Sequence, residues 1–171
     1  MKNLKRLLTR PLVALPSSLV IIILVVALVG FADATYLSAE HFRGVIPPCS
    51  VTGGCEKVLT SDFSVVFGIP VSLLGAVYYL LIAIGGLIFL ESKHISKLEK
   101  HNSEILRLSL LLTIPGFLAS VWFTGLQVFV IHSYCTYCLG SACVTTILLS
   151  LTVVMFRKYR RTDEEDLRFK I

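Results

Sequence analysis

Four long apolar stretches, separated by short polar segments, set the pattern of the chain. The first runs from about Ser17 to Ala39 and is densest over Leu19 to Gly30, with Asp33 as its one charge. The second covers about Val65 to Leu90, the third Ile105 to His132 and the fourth Cys135 to Phe156. Roughly 20 residues rising about 1.5 Å each cross a hydrocarbon core of about 30 Å, so every stretch is long enough to span. None alternates with a period of two, and lipid offers no water to satisfy backbone polar groups, so helices are predicted rather than strands. The expected fold is all-α. It is an integral membrane four-helix bundle over residues 17–156, with spans at about 17–39, 65–90, 105–132 and 135–156, an N-terminal segment 1–16 and a C-terminal tail 157–171.

Composition agrees with that reading. Of the 171 residues, 55% are hydrophobic and 16% charged, whereas soluble domains carry about 25% charge. A net charge of +5 raises nucleic acid as a partner, but the basic residues collect in short clusters between apolar stretches instead of forming a stripe. One cluster precedes the first span (Lys2, Lys5, Arg6, Arg10), one separates the second and third (Lys93, Lys97, Lys100, Arg107), and one follows the fourth. Among 16 basic residues only Arg43 and Lys57 fall outside these clusters. The positive-inside rule then places both termini in the cytoplasm and the segments Glu40 to Ser64 and Ser133 to Tyr134 on the exoplasmic side. The first apolar stretch is long and lacks a small-residue cleavage site, so it reads as a retained span and not a signal peptide.

Once this topology is drawn, four of the five cysteines fall at one membrane face. Cys49 and Cys55 lie in the loop Pro-Pro-Cys-Ser-Val-Thr-Gly-Gly-Cys, and Cys135 and Cys138 open the fourth span as Cys-Thr-Tyr-Cys. That face is the compartment in which disulfides form and persist. Residues i and i+3 share a helix face, so Cys135 and Cys138 are within reach of each other, and a helix N-terminus favours a thiolate. Ser133 is the expected N-cap, which places Cys135 in the first turn. Gly53 and Gly54 give the loop pair freedom to move. Three chemistries fit these thiols: a mobile pair feeding a fixed pair, a loop staple beside a quiet packed pair, or a tetrahedral zinc site. Zinc is disfavoured because Cys49 and Cys55 are spaced more widely than a usual knuckle. Cys143 lies off the dithiol face and reads as a small packing residue.

Taken in order, these residues resemble the vitamin K epoxide reductase family, and its prokaryotic-type members in particular. The resemblance extends over about Leu19 to Phe156. It rests on Cys49 and Cys55, on Ser61, on Phe67-Gly68-Ile69-Pro70-Val71-Ser72-Leu73-Leu74-Gly75, and on Tyr134-Cys135-Thr136-Tyr137-Cys138-Leu139. It implies a bundle around a quinone of the ubiquinone or menaquinone (vitamin K) type, with a short partial helix capping the exoplasmic mouth. It also implies that electrons from a thioredoxin-like protein pass through Cys49 and Cys55 to Cys135 and Cys138, and then to the quinone. On this chain Cys138 becomes the thiol nearest the quinone, and the Ser61 hydroxyl a donor to a quinone carbonyl.

Two departures separate the chain from the animal enzymes. Ala142 stands where they carry a tyrosine, and the segment before the second span runs straight through Gly68-Ile69-Pro70 without their asparagine. Both argue for quinone reduction over epoxide reduction. Many prokaryotic members carry a fused thioredoxin-like domain, so the partner here is expected to be a separate protein. The unrelated bacterial quinone-linked disulfide oxidases place their cysteine pairs in the opposite order. A metal-binding membrane protein and a structural subunit with inert disulfides are rivals of other classes. Phe67, Trp122, Gln127 and Phe129 are candidate quinone-lining residues. Asp33, placed near the exoplasmic interface, and His132 are candidates for proton handling, and Pro115 is expected to kink the third span.

Overall fold

The computed structural model describes residues 17–49, 51, 53–92 and 102–168. The segment 1–16 and the basic residues Lys93, Lys97 and Lys100 lie outside them. In chain order the elements are helix α1 (Ser17–Arg43), a short helix α2 (Cys55–Leu59), a 3₁₀ turn (Asp62–Ser64), strands β1 (Val65–Val66) and β2 (Ile69–Pro70), and helices α3 (Val71–Ser92), α4 (Asn102–Leu126) and α5 (Thr136–Arg168). A wider, π-type turn over Gln127–Ile131 closes α4. The four long helices are each long and apolar enough to cross a membrane.

Three boundaries differ from the sequence expectation. Helix α1 continues past Ala39 to Arg43. The second span begins at Val71 and not Val65, because residues 65–70 fold into a two-stranded hairpin pairing Val65 with Pro70 and Val66 with Ile69. Phe67 and Gly68 both take positive φ (51° and 80°) at its tip, the backbone that a two-residue hairpin turn requires. Helix α5 runs beyond Phe156 to Arg168, since residues 157–168 contain neither Gly nor Pro to stop it.

The helices form a ring in which α1 and α4 each pack against both α3 and α5. The end of α1, the start of α3, the end of α4 and the start of α5 surround one cavity. The opposite ends of the same helices surround a much smaller one. Neighbours in the ring are therefore antiparallel, and the cysteines share one end of the bundle. Val20, Ile23, Ala27 and Ala34 of α1 meet Ala76, Tyr79, Ile82 and Ala83 of α3 and Leu148 of α5 in the core. Ile21, Ile22, Val25, Leu28 and Val29 point outward, the apolar exterior that lipid requires.

Small residues set how closely the helices approach. A Cβ on Gly30 would lie 2.5–2.7 Å from the Tyr79 ring, so α1 admits that ring only because residue 30 has no side chain. Gly116 of α4 receives the ring of the adjacent Tyr78 in the same way. The Tyr79 hydroxyl reaches across to α5, donating to the Ser141 carbonyl at 3.1 Å and lying 2.7 Å from the Ser141 hydroxyl. Thr145 of α5 meets Ser120 of α4 at 2.9 Å. Pro115 lies inside α4, which continues through it.

Candidate functional site

Cys49 and Cys55 are joined as a disulfide, with Cα atoms 5.7 Å apart. Cys55 opens α2, and the preceding Gly54 lies directly against the segment leading into α5: a Cβ there would sit 2.7 Å from the Tyr134 carbonyl oxygen and 2.8 Å from its nitrogen. Both are backbone atoms with no freedom to withdraw, so glycine is what lets the loop dock. The Tyr137 hydroxyl donates to the Pro48 carbonyl at 3.1 Å, and Cys49 Sγ lies 3.6 Å from Thr136 Oγ1. The loop pair thus rests over the first turn of α5. Cys55, Val58 and Cys135 form one buried cluster, with Cys49, Leu59, Ile131, Tyr137 and Cys138 packed around it.

Cys135 and Cys138 are free thiols. The first hydrogen bond of α5 runs from the Leu139 N–H to the Cys135 carbonyl (3.0 Å), so Cys135 itself is the N-cap. This corrects the expectation for Ser133. The Cys135 sulfur accepts from the Cys138 thiol and from the backbone N–H groups of Cys138 and Tyr137, and against the opposing effect of burial these pull its pKa down to about 7. The Cys138 thiol contributes most, and the free amides at the helix start add to the stabilisation of the thiolate.

Gln127 holds this cap in place. It is 2% exposed, and its Oε1 accepts the Cys135 N–H at 2.8 Å. Its own carbonyl accepts the N–H of Ser133 at 3.2 Å and that of His132, which takes left-handed φ/ψ of 53° and 40°. The π-type turn, the left-handed residue and the buried amide together deliver Cys135 to the helix start.

Cys138, one turn further along, faces a cavity of about 960 Å³ lined by all four long helices and the cap. Ser61 lines it too, but its hydroxyl donates to the Val58 carbonyl at 2.7 Å. A serine has a single O–H, so in this geometry Ser61 presents only acceptor capacity to the cavity. Phe67, Trp122 and Phe129 are 100%, 66% and 76% exposed and do not line it. Phe67 occupies the hairpin tip and Trp122 points outward from α4, whereas Ala119, Ser120, Phe123 and Gln127 line the cavity. Gly116, Ala119, Ser120, Thr124 and Gln127, small or polar residues recurring at helical spacing, were the signal in the sequence for the inner face of α4. His132 is exposed in its turn, and Cys143 is exposed on α5.

Asp33 is also part of the lining. It lies ten residues before the end of α1 at Arg43, about 15 Å along the axis. Asp33 Oδ2 and the Tyr78 hydroxyl are buried, line the same cavity, and have no hydrogen-bond partner among the described residues.

The sequence profile of the vitamin K epoxide reductase family matches residues 21–153. The chain belongs to that family. The matched span contains all four cysteines of the two pairs together with Ser61. No curated protein matches the chain. Membership makes it a membrane oxidoreductase built on cysteine pairs, in a family whose members use quinones. The cavity suits a quinone on its own terms. Its walls are mainly apolar, Cys138 opens onto it, and two buried polar groups that can each donate a hydrogen bond in their protonated forms, the Asp33 carboxyl and the Tyr78 hydroxyl, have no partner among the described residues, an arrangement by which an apolar pocket can orient a ligand carrying two carbonyls.

Proposed function

We propose that the protein oxidises a separate thioredoxin-like dithiol protein to its disulfide and passes the electrons through Cys49–Cys55 and Cys135–Cys138 to a quinone held in the central cavity. The observation that carries this reading is the burial of Cys55 and Cys135 in one cluster, with Cys138 on the far side opening onto the cavity. A thiol relay needs each sulfur to reach the next, and the packing of Cys55, Cys135 and Cys138 in one cluster that borders the cavity supports that order.

The partner's thiolate attacks the Cys49–Cys55 disulfide and leaves with its own thiols oxidised. Cys55, buried beside Cys135, is the loop thiol positioned to attack the inner disulfide, while Cys49 sits at the outer edge by Thr136. Exchange returns the loop pair to a disulfide and leaves Cys135 and Cys138 as thiols. The low pKa of Cys135 makes it the better nucleophile when the inner disulfide re-forms near neutral pH. A bound quinone accepts two electrons and two protons. Cys138 Sγ is the sulfur facing it, and Cys135 closes the S–S bond behind it.

With both termini cytoplasmic, as the basic clusters imply, the cysteines face an exoplasmic compartment where client proteins need disulfides. A metal-binding role has less support: among the described residues no three His, Cys, Asp or Glu side chains converge on one point, and two of the thiols are already joined. The test uses detergent-purified protein with a reduced thioredoxin-like protein and a ubiquinone or menaquinone analogue. Wild type reduces quinone and Cys138→Ala does not; wild type inert with both quinones rejects the proposal.

A further inference from the structure

We propose that Asp33 is the proton-relaying acid of the cavity, moving a proton between the active-site thiols and a quinone oxygen. The inference rests on the quinone-reducing function proposed above. It stands on four observations. Asp33 is the one ionisable side chain in the cavity-lining part of the first span below His41. Its Oδ2 is buried and has no hydrogen-bond partner among the described residues. It lies within electrostatic range of both Cys135 and Cys138. The Ser61 hydroxyl, the other polar candidate, has its single proton committed to Val58.

An ionisable group within a span carries a desolvation cost that a merely structural position has no reason to keep. Among the described residues no lysine, arginine or histidine is paired with it, so a salt bridge among them does not account for it. The other titratable groups around the cavity are His41 on α1, Asp62 in the cap, Tyr78 and Tyr79 on α3, and Cys138 on α5. Helix α4 offers only hydroxyls and the amide of Gln127. Tyr79 is engaged with Ser141, and His41 and Asp62 belong to the mouth. Tyr78, the second orphan, is a hydroxyl donor suited to holding a carbonyl oxygen and not to releasing protons near neutral pH.

The step balances as follows. The two thiol S–H bonds break, one S–S bond forms between Cys135 and Cys138, and two electrons and two protons pass to the quinone. Asp33 gives its carboxyl proton to one quinone oxygen and regains a proton from the thiol that ionises last, ending as it began. No further oxidant or reductant is required.

Asp33→Asn keeps the shape and removes the exchangeable acid. General acid catalysis contributes about 10²–10⁴-fold, so Asp33→Asn is expected to slow quinone reduction by about 100-fold or more, with partial recovery in Asp33→Glu. The reduction of Cys135–Cys138 by the reduced partner without quinone, followed by thiol labelling, is expected to be unchanged. A readout independent of turnover is the infrared carboxylic-acid band, expected to be present in wild type, absent in Asp33→Asn, and shifted on adding a quinone analogue. Unchanged quinone reduction in Asp33→Asn overturns the inference, as does equal loss in both half-reactions or a wild-type spectrum without that band. Wild type that reduces no quinone while its thiols still exchange with the partner rejects the underlying function instead.

Discussion

Replacing Gln127 with methionine separates the hydrogen bond that positions Cys135 from the volume that fills the site. Methionine matches glutamine closely in length and flexibility, so little cavity is created. What disappears is the 2.8 Å bond from the Cys135 N–H to Oε1. The contact from Nε2 to the Phe123 carbonyl, at 3.5 Å, is at the limit of a hydrogen bond and contributes little. Cys135 is completely buried, so its amide is left without a partner, at a cost of about 1–3 kcal/mol. For a chain of this size about 2 kcal/mol corresponds to a loss of roughly 4–8 °C in Tm. Part of that cost falls on the geometry of the cap, so exchange between the loop pair and the inner pair should also slow. Thermal unfolding in detergent measures the first effect, and quenched thiol labelling after adding reduced partner measures the second. An unchanged Tm together with unchanged exchange would refute the assignment of Gln127 as the anchor of the cap.

Other outcomes follow from the same geometry. Gly54→Ala pushes a Cβ against the Tyr134 backbone, so entry of electrons from the partner should fall by about tenfold or more through misplacement of the reacting sulfurs, while quinone reduction by chemically reduced protein is preserved; stopped-flow measurement of each half-reaction checks this. Gly30→Ala collides with the Tyr79 ring, which is buried and tied to Ser141, and should cost about 1–3 kcal/mol of stability, part of it recovered by adding Tyr79→Leu, as read by Tm. Cys135 in the reduced protein should ionise with a midpoint of about 7, so its thiolate absorbance and its rate of disulfide closure rise with pH through that value. In Cys138→Ala the thiol donor is gone, and the midpoint should move up toward that of an ordinary cysteine, about 8.5.

The helical bundle was legible because lipid imposes one simple rule on composition, and the four cysteines because their pairing pattern falls at one end of the drawn topology. The boundaries were harder to read. Val65 and Val66 are as apolar as a span, and only the Phe67–Gly68 turn, which depends on a backbone conformation, shows them to be a hairpin. Ser133 looked like a cap because it is a serine before a helix, yet its amide is claimed by the Gln127 carbonyl and the cap falls to Cys135. Trp122 and Phe129 are large and aromatic, which suits lipid contact as well as a ring-shaped ligand. Trp122 turns outward on α4, whose Gly116 packs against Tyr78, and Phe129 turns outward in the π-type turn that follows. Tyr78 gave no signal in a stretch where most residues are apolar; its significance lies in a hydroxyl that finds no partner among the described residues.

The most direct test of a relay ending on a quinone is a single-turnover stoichiometry. Protein with Cys135 and Cys138 fully reduced is mixed with a quinone analogue without any partner, and quinol formed and thiols lost are counted together. The account predicts one quinol for each pair of thiols lost, with Cys135 and Cys138 recovered as a disulfide and the reaction abolished in Cys138→Ala. Thiols that persist beside unreduced quinone, or quinol formed equally well by Cys138→Ala, would contradict it.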